Sequence, residues 1–336
     1  MKIVVDAFGG DNAPREIVGG VITAVNLHDD IEVVLTGDKT KIEFELKHFG
    51  YTGNKIEICN ASEVITNDDI PTLAIKNKKG SSLVVALDML KNNDDIVGLV
   101  SAGSTGAVLA GGLLRIGRLE GVIRPALSPI LPTINNGKTL LIDCGANVDS
   151  KASYLVQFAV MGSSYMKVMY NMKNPRVALL SNGTEDKKGN ELNHEAFELL
   201  KETKSINFIG NMEARDILSG NYDVIVTDGF AGNIGLKASE GAIQFVLKQI
   251  KTEIYGGGIR SKLGALLLKP VFNKLKSKLD YSQHGGSPFL GIKKLIIKSH
   301  GSSKASSIYE SIIQIKKLSE GKLIDGIKSG LGDKNA

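Results

Sequence analysis

The sequence predicts an α/β fold: a doubly wound, mainly parallel sheet with helices on both faces. Two observations carry that prediction. Short apolar, β-branched runs recur along the chain with longer helix-like stretches between them, which is the alternation of a parallel sheet. Few of these runs alternate polar with apolar residues, as Val177-Ala178-Leu179-Leu180 illustrates, so helices are expected over both faces of the sheet. With 336 residues, the chain buries roughly three quarters of its unfolded surface, enough for a large core without disulfide or metal staples.

Strands are expected near 2–6, 32–36, 55–59, 96–100, 139–143, 176–181, 206–209, 223–227 and 293–298. The turns that follow them carry the functional information. The first strand leaves through Asp6-Ala7-Phe8-Gly9-Gly10-Asp11-Asn12, the fourth through Ser101-Ala102-Gly103-Ser104-Thr105-Gly106, and the fifth through Asp143-Cys144-Gly145-Ala146-Asn147. The sixth is followed by Ser181 through Asn190, the eighth by Thr227 through Asn233, and the last by Ser299-His300-Gly301-Ser302-Ser303. All six are small, polar and glycine-rich, and open α/β sheets bind ligands beyond the carboxyl ends of their strands. Glycine lets backbone N–H groups approach an anion, and a following helix adds its positive end. Any one of these turns is more readily ordinary strand-to-helix punctuation; six together favour a single crevice.

The remaining chemistry is defined by what is missing. No GxGxxG follows a strand and no GxxxxGK[ST] occurs, so dinucleotide and P-loop readings lose their usual support. His28, His48, His194, His284 and His300 are scattered without metal-ligand spacing, and no metal is expected. Cys59 and Cys144 form no CxxC, which fits a reducing cytoplasm. Ser104 lies in no GxSxG elbow, so no covalent nucleophile stands out. The start Met1-Lys2-Ile3-Val4-Val5-Asp6 meets a charge too early for a signal peptide, and no apolar run is long enough to span a bilayer. The net charge of +5 is spread along the chain; it permits an acidic partner and does not indicate nucleic acid.

Within Ser181–Asn190, Lys187 and Lys188 follow two acids between Gly183 and Gly189. Cations at a helix N-terminus are slightly unfavourable, so these two either face an anion or are simply solvated. Asn233 offers an amide donor near the start of a helix, where an N-cap is the plainer role. Near 260–281, Leu263, Leu266, Leu267 and Val271 fall at helical spacing, and Phe272, Leu275 and Leu279 continue the stripe after Pro270, which is expected to divide it into two short amphipathic helices. Arg260, Lys262, Lys269, Lys274, Lys276 and Lys278 intersperse it. Such a hairpin lies on an anionic bilayer, or packs on its own core or a second subunit. The expected organisation is one α/β/α catalytic domain over 1–320, with this segment inserted at about 258–284, and a fraying tail over 321–336.

The turns resemble those of the acyl-carrier-protein:phosphate acyltransferase family known as PlsX, from Met1 to about Ile315. Val5-Asp6-Ala7-Phe8-Gly9-Gly10-Asp11-Asn12-Ala13-Pro14, Leu131-Pro132-Thr133, Gly183 through Leu192, Val226-Thr227-Asp228-Gly229-Phe230, Asn207 through Asn211, and Tyr281 through Gly286 carry the likeness. Phe8 stands where that family often has Met. The resemblance implies a fold akin to phosphate acetyltransferases and to isocitrate and isopropylmalate dehydrogenases, without their nicotinamide or metal and with no cofactor. It also implies a homodimer, a long-chain acyl-carrier protein and inorganic phosphate as substrates, and an acyl phosphate passed to a membrane glycerol-phosphate acyltransferase. The protein would then be cytoplasmic and peripherally membrane-associated, with Leu263, Leu267, Val271, Phe272 and Lys274 at the membrane or partner contact.

On this reading Lys188, supported by Lys187, offsets phosphate and transition-state charge, and Asn233 receives the oxyanion. Ser104, Thr105 and Asn147 orient phosphate or the pantetheine arm, while Asp11 and Asn12 shape the crevice floor. Gly183, Thr184, Asp228 and Gly229 complete the substrate-binding set. Two rivals are a dehydrogenase on the same fold, which would show a nicotinamide site and metal-binding acids, and a non-catalytic lipid-binding or carrier-docking module, which leaves the six polar turns unexplained.

Overall fold

The computed structural model describes residues 1–279 and 285–332. Its strands form two sheets instead of one. The first contains β1 (Lys2–Asp6), β2 (Glu32–Gly37), β3 (Ile56–Asn60), β4 (Ile96–Ser101), β5 (Ala126–Leu127), β11 (Ser287–Leu290) and β12 (Leu295–Lys298), in the order β3-β2-β1-β4-β12-β11-β5. The second contains β6 (Ile130–Pro132), β7 (Lys138–Ile142), β8 (Arg176–Ser181), β9 (Asn207–Glu213) and β10 (Val224–Val226), in the order β6-β7-β10-β8-β9. Pairing is parallel among β3, β2, β1, β4 and β12 and among β7, β10, β8 and β9; β11 and β6 pair antiparallel at the margins. The chain thus leaves the first sheet after β5, builds the second, and returns to set β12 beside β4.

Eleven α-helices are described: α1 (Arg15–Leu27), α2 (Lys39–His48), α3 (Pro71–Asn77), α4 (Ser82–Asn92), α5 (Thr105–Gly111), α6 (Ala152–Tyr170), α7 (Glu191–Glu202), α8 (Gly229–Gly256), α9 (Ile259–Leu279), α10 (Ala305–Glu320) and α11 (Leu323–Gly332). Successive strand side chains point to opposite faces. Ile3 and Val5 of β1 join a core with α1, α6 and α10 that also takes Leu140, Val177 and Val224 of the second sheet. Val4 points the other way, into a core with α3, α4 and α5. A smaller cluster of Leu141, Ala178, Ile225 and Ile217 covers the second sheet's other face. Burial on both faces is why the strands lack a polar alternation, and the expected fold class holds.

Four expectations change. Strands β5, β6 and β11 were not legible because two to four residues carry too little periodicity. Strand β9 runs on to Glu213, past Gly210 at φ +103. Pro270 lies inside one 21-residue helix, α9, so the two short helices expected within 258–284 do not form. The expected tail folds as α11, which buries Leu323 and Ile327. Most of the Tyr281–Gly286 motif falls on 280–284, outside the described residues, as do 333–336.

Candidate active site

Strands β1, β4 and β12 are neighbours and parallel, so their three turns emerge together. The turns are tied to one another. Ser101 Oγ donates to the buried Asp6 Oδ2 at 2.7 Å, Gly103 N donates to Ser101 Oγ at 3.1 Å, and Asp11 N donates to Gly301 O at 2.8 Å. Glycine is required where they touch: a Cβ on Gly9 would stand 2.5 Å from Gly103 N, and Gly10 has φ +97. Burial holds the Asp6 carboxyl above the usual carboxylate range, although Ser82, Ser101 and nearby backbone N–H groups oppose it.

Lys298 ends β12 and is 8% exposed. Its Nζ donates to Ala102 O at 3.4 Å and to Ser299 O. Burial lowers its pKa to about 8, outweighing the nearby Asp11 and Asp6 carboxylates. His300 follows it; burial, then Lys298 and Lys237, push that imidazole below its ordinary value. Ser302 N donates to His300 Nδ1 at 3.2 Å, which leaves Nε2 as the protonated nitrogen of the neutral ring.

Two adjoining cavities open here. One, of about 510 Å³, is lined by Phe8, Asp11, Ser104, Thr105, Lys298 and His300, among others. The second, of about 350 Å³, shares Thr105, Lys237, Lys298 and His300 and adds Asn233, Gly145, Leu127, Cys144 and Leu236. It draws its far wall from the second sheet and from α8. Burial raises the Cys144 thiol well above its ordinary pKa, so that side chain is an inert wall.

The turn after β7 is organised by Asp143, which is fully buried. It accepts from Leu127 N at 2.9 Å, Asn147 N at 2.6 Å and Asn147 Nδ2 at 3.0 Å. Asp228 caps α8 by accepting from Phe230 N and Ala231 N, which fixes where Asn233 stands. Gly229 and Gly232 let the helix start close against this turn; Cβ atoms there would meet Asn147 O at 2.5 Å and Asp143 O at 2.0 Å.

Of the residues singled out from the sequence, Asp11, Ser104, Thr105 and Asn233 come together around the two cavities. Asn12 instead clamps the last turn, its Nδ2 donating to Ser302 O at 3.0 Å and Ser303 O at 3.2 Å. Asn147 spends its amide on Pro125 O and Asp143. Asp228 and Gly229 shape the start of α8. Thr184, Lys187 and Lys188 are exposed on the turn after β8, with the Lys188 stem over buried Gly183, and they line neither cavity. The Asn190 capping box that starts α7 and the bond from Asn211 Nδ2 to Glu185 O at 2.9 Å hold that turn. Lys298, His300 and Lys237 were not singled out. The available signal was a lysine closing the apolar run Leu295-Ile296-Ile297-Lys298, a charge at the end of a buried strand.

On α9, Leu263, Leu267 and Val271 are exposed by 60%, 76% and 60%, with Phe272 half-buried and Lys274 exposed. Leu263, Leu267 and Val271 form an uncovered apolar row along the helix. Among the described residues no helix is long and apolar enough to cross a membrane.

The architecture defines an α/β protein whose strand-end turns enclose a small polar crevice beside an apolar wall. Residues 1–325 match the model of the fatty acid synthesis protein family. The chain is 46% identical over 335 residues to a phosphate acyltransferase of Clostridium botulinum, covering 100% of both chains, and 45% identical over 319 residues to a phosphate acyltransferase of Bacillus subtilis, covering 95% and 94%. The protein belongs to this family, the one its turns resemble. A phosphotransacetylase from Streptococcus pyogenes shares the fold, with TM-score 0.60 and 19% identity over 97% of this chain and 94% of that one.

Proposed function

We propose that the protein transfers a long-chain fatty acyl group from acyl-carrier protein to inorganic phosphate, releasing the carrier thiol and an acyl phosphate for phospholipid synthesis. The observation that carries the reading is the full-length likeness to phosphate acyltransferases, joined to a crevice in which a buried cation, hydroxyls and an amide converge.

The chemistry suits these groups. Phosphate is already partly dianionic near neutral pH, so its oxygen attacks the thioester carbonyl without a strong base. The C–O bond forms, the C–S bond breaks, and the thiolate leaves with the electron pair. A thiol of pKa about 8.5 departs with little help and takes its proton from solvent. What the protein must supply is orientation and charge stabilisation. Asn233, in the cavity with the apolar wall, receives the carbonyl oxyanion, while Ser104 and Thr105 orient phosphate. Lys188, with Lys187 in support, offsets phosphate and transition-state charge from the turn after β8, outside the two cavities.

The uncovered row on α9 supports peripheral contact with an anionic membrane, or burial in a homodimer. Half-buried apolar side chains contribute on the order of 1 kcal/mol each and nearby cations about 1 kcal/mol each, which suffices for reversible attachment close to a membrane glycerol-phosphate acyltransferase. The decisive assay mixes the protein with long-chain acyl-carrier protein and phosphate and measures free carrier thiol. Release is expected to depend on phosphate; release at the same rate without phosphate would refute the reading.

A further inference from the structure

We propose that Lys298 is the cation that holds the phosphate nucleophile, at the point where the two cavities of the crevice meet. The inference rests on the acyl-transfer reading for the word nucleophile, and on geometry for the anion site. Lys298 lines both cavities, so a ligand over its ammonium touches the polar cavity and faces the one walled by Leu127 and Leu236. Those are the separate needs of an oxyanion and an acyl thioester.

The side chain is also in an electrostatic state that asks for an anion. A buried cation is normally held by a carboxylate, because desolvation without a partner is costly. Among the described residues Lys298 makes no ion pair; its Nζ donates to two backbone carbonyls, Ala102 and Ser299. An ammonium has three N–H donors, so one remains for a ligand. The hydroxyls of Ser104 and Thr105 line the same cavity and supply neutral hydrogen bonds. Neither alternative cation matches this. Lys237 is exposed and paired with Glu240 at 3.1 Å, and Lys188 lines neither cavity.

Burial has lowered the Lys298 ammonium to a pKa of about 8. The groups that face it are Asp6 and Asp11 from the first strand and turn, His300 on its own turn, and Lys237 and Glu240 reaching in from α8. Raising the pH only adds phosphate dianion, which a cation holds more tightly, so the ionisation of phosphate does not account for a loss of binding above pH ~8. Deprotonation of Lys298 does.

The test is calorimetric titration of the full chain with inorganic phosphate from pH ~6 to ~10, a span that brackets the lysine and leaves arginine charged throughout, on wild type, Lys298→Met and Lys298→Arg. Wild-type affinity should fall as pH rises through about 8. Lys298→Met should bind phosphate about 10- to 100-fold more weakly at neutral pH, the scale of losing a hydrogen bond to a charged group. Lys298→Arg should bind without the alkaline fall, which a merely structural role for the lysine would not produce. Wild-type affinity in Lys298→Met, or an alkaline fall that persists in Lys298→Arg, overturns the assignment. Thiol release on the same proteins reads the other premise: phosphate binding through Lys298 with no release from acyl-carrier protein keeps the anion site and sinks acyl transfer.

Discussion

Gly232 is the residue through which packing between the second sheet and α8 sets the position of Asn233. A Cβ at Gly232 would lie 2.0 Å from Asp143 O and 2.7 Å from Thr227 Cγ2. Non-bonded heavy atoms settle near 3.5 Å, so Gly232→Ala must drive the helix start off the Asp143 turn by about 1.5 Å. Asp143 is buried and held by several bonds, so the helix is the part that yields. Overpacking of this kind costs roughly 1–3 kcal/mol of stability, and a misplacement of about 1 Å at a reacting geometry costs on the order of 10²-fold in rate. Gly241→Ala is the control on the same helix: nothing lies within 4 Å of its added Cβ, and replacing a helical glycine there should stabilise by about 1 kcal/mol. Thermal melts and phosphate-dependent thiol release on both variants are the assay. Gly232→Ala with wild-type stability and kcat/KM would refute the argument that this contact positions Asn233.

Lys188→Ala should lower turnover by about 10²-fold, the scale for removing one charge-stabilising group; near-normal turnover would end its catalytic assignment. Asp6 is protonated more readily folded than unfolded, so the folded state holds the extra proton, and the resulting stability is present in acid and lost as pH rises through the raised folded value. Asp6→Asn should therefore flatten the decline of urea-unfolding stability above pH ~4; an unchanged slope would contradict the desolvation argument. Leu267→Glu should abolish cosedimentation with anionic phospholipid vesicles, or dissociate a dimer in light scattering, while the thermal midpoint stays near wild type because the side chain is 76% exposed; loss of neither assembly sinks an interface on α9.

Most strands were legible because burial on both faces leaves a run such as Ile3-Val4-Val5 without a polar member. Sheet membership was not. Nothing local distinguishes Leu140-Leu141-Ile142 from Leu99-Val100, yet one pairs with β10 and the other with β1 and β12; that division depends on contacts across the chain. Pro270 misled for a related reason. A proline removes one helical hydrogen bond and crowds the preceding turn, but a helix of 21 residues keeps enough other bonds to run through it. The turns were legible as turns; which of their polar groups face a crevice depends on the fold. Asn147 and Asn12 look like ligand groups in sequence, and only the fold shows their amides consumed by Asp143, Pro125, Ser302 and Ser303. Lys298 gives no local sign beyond a charge at the end of an apolar run.

The two sheets repeat one device. Asp6 closes β1 and Asp143 follows β7, both buried, both with carboxyls raised by desolvation, and both accepting from the residues of the turns beside them. Either could be mistaken for a general base. Their oxygens are instead occupied by Ser101 and Phe8 N in one case, and by Leu127, Ala146 and Asn147 in the other. A carboxylate so engaged pins the turn that carries the ligand groups and has little capacity left to take a proton from substrate. That division of labour suits the proposed reaction, whose nucleophile arrives already ionised: the acids build the rim, and a cation and an amide are left facing the crevice. If Asp6→Asn or Asp143→Asn altered the pH dependence of turnover in the manner of a lost base, with the fold intact, the carboxylates would have to be moved from scaffold to chemistry.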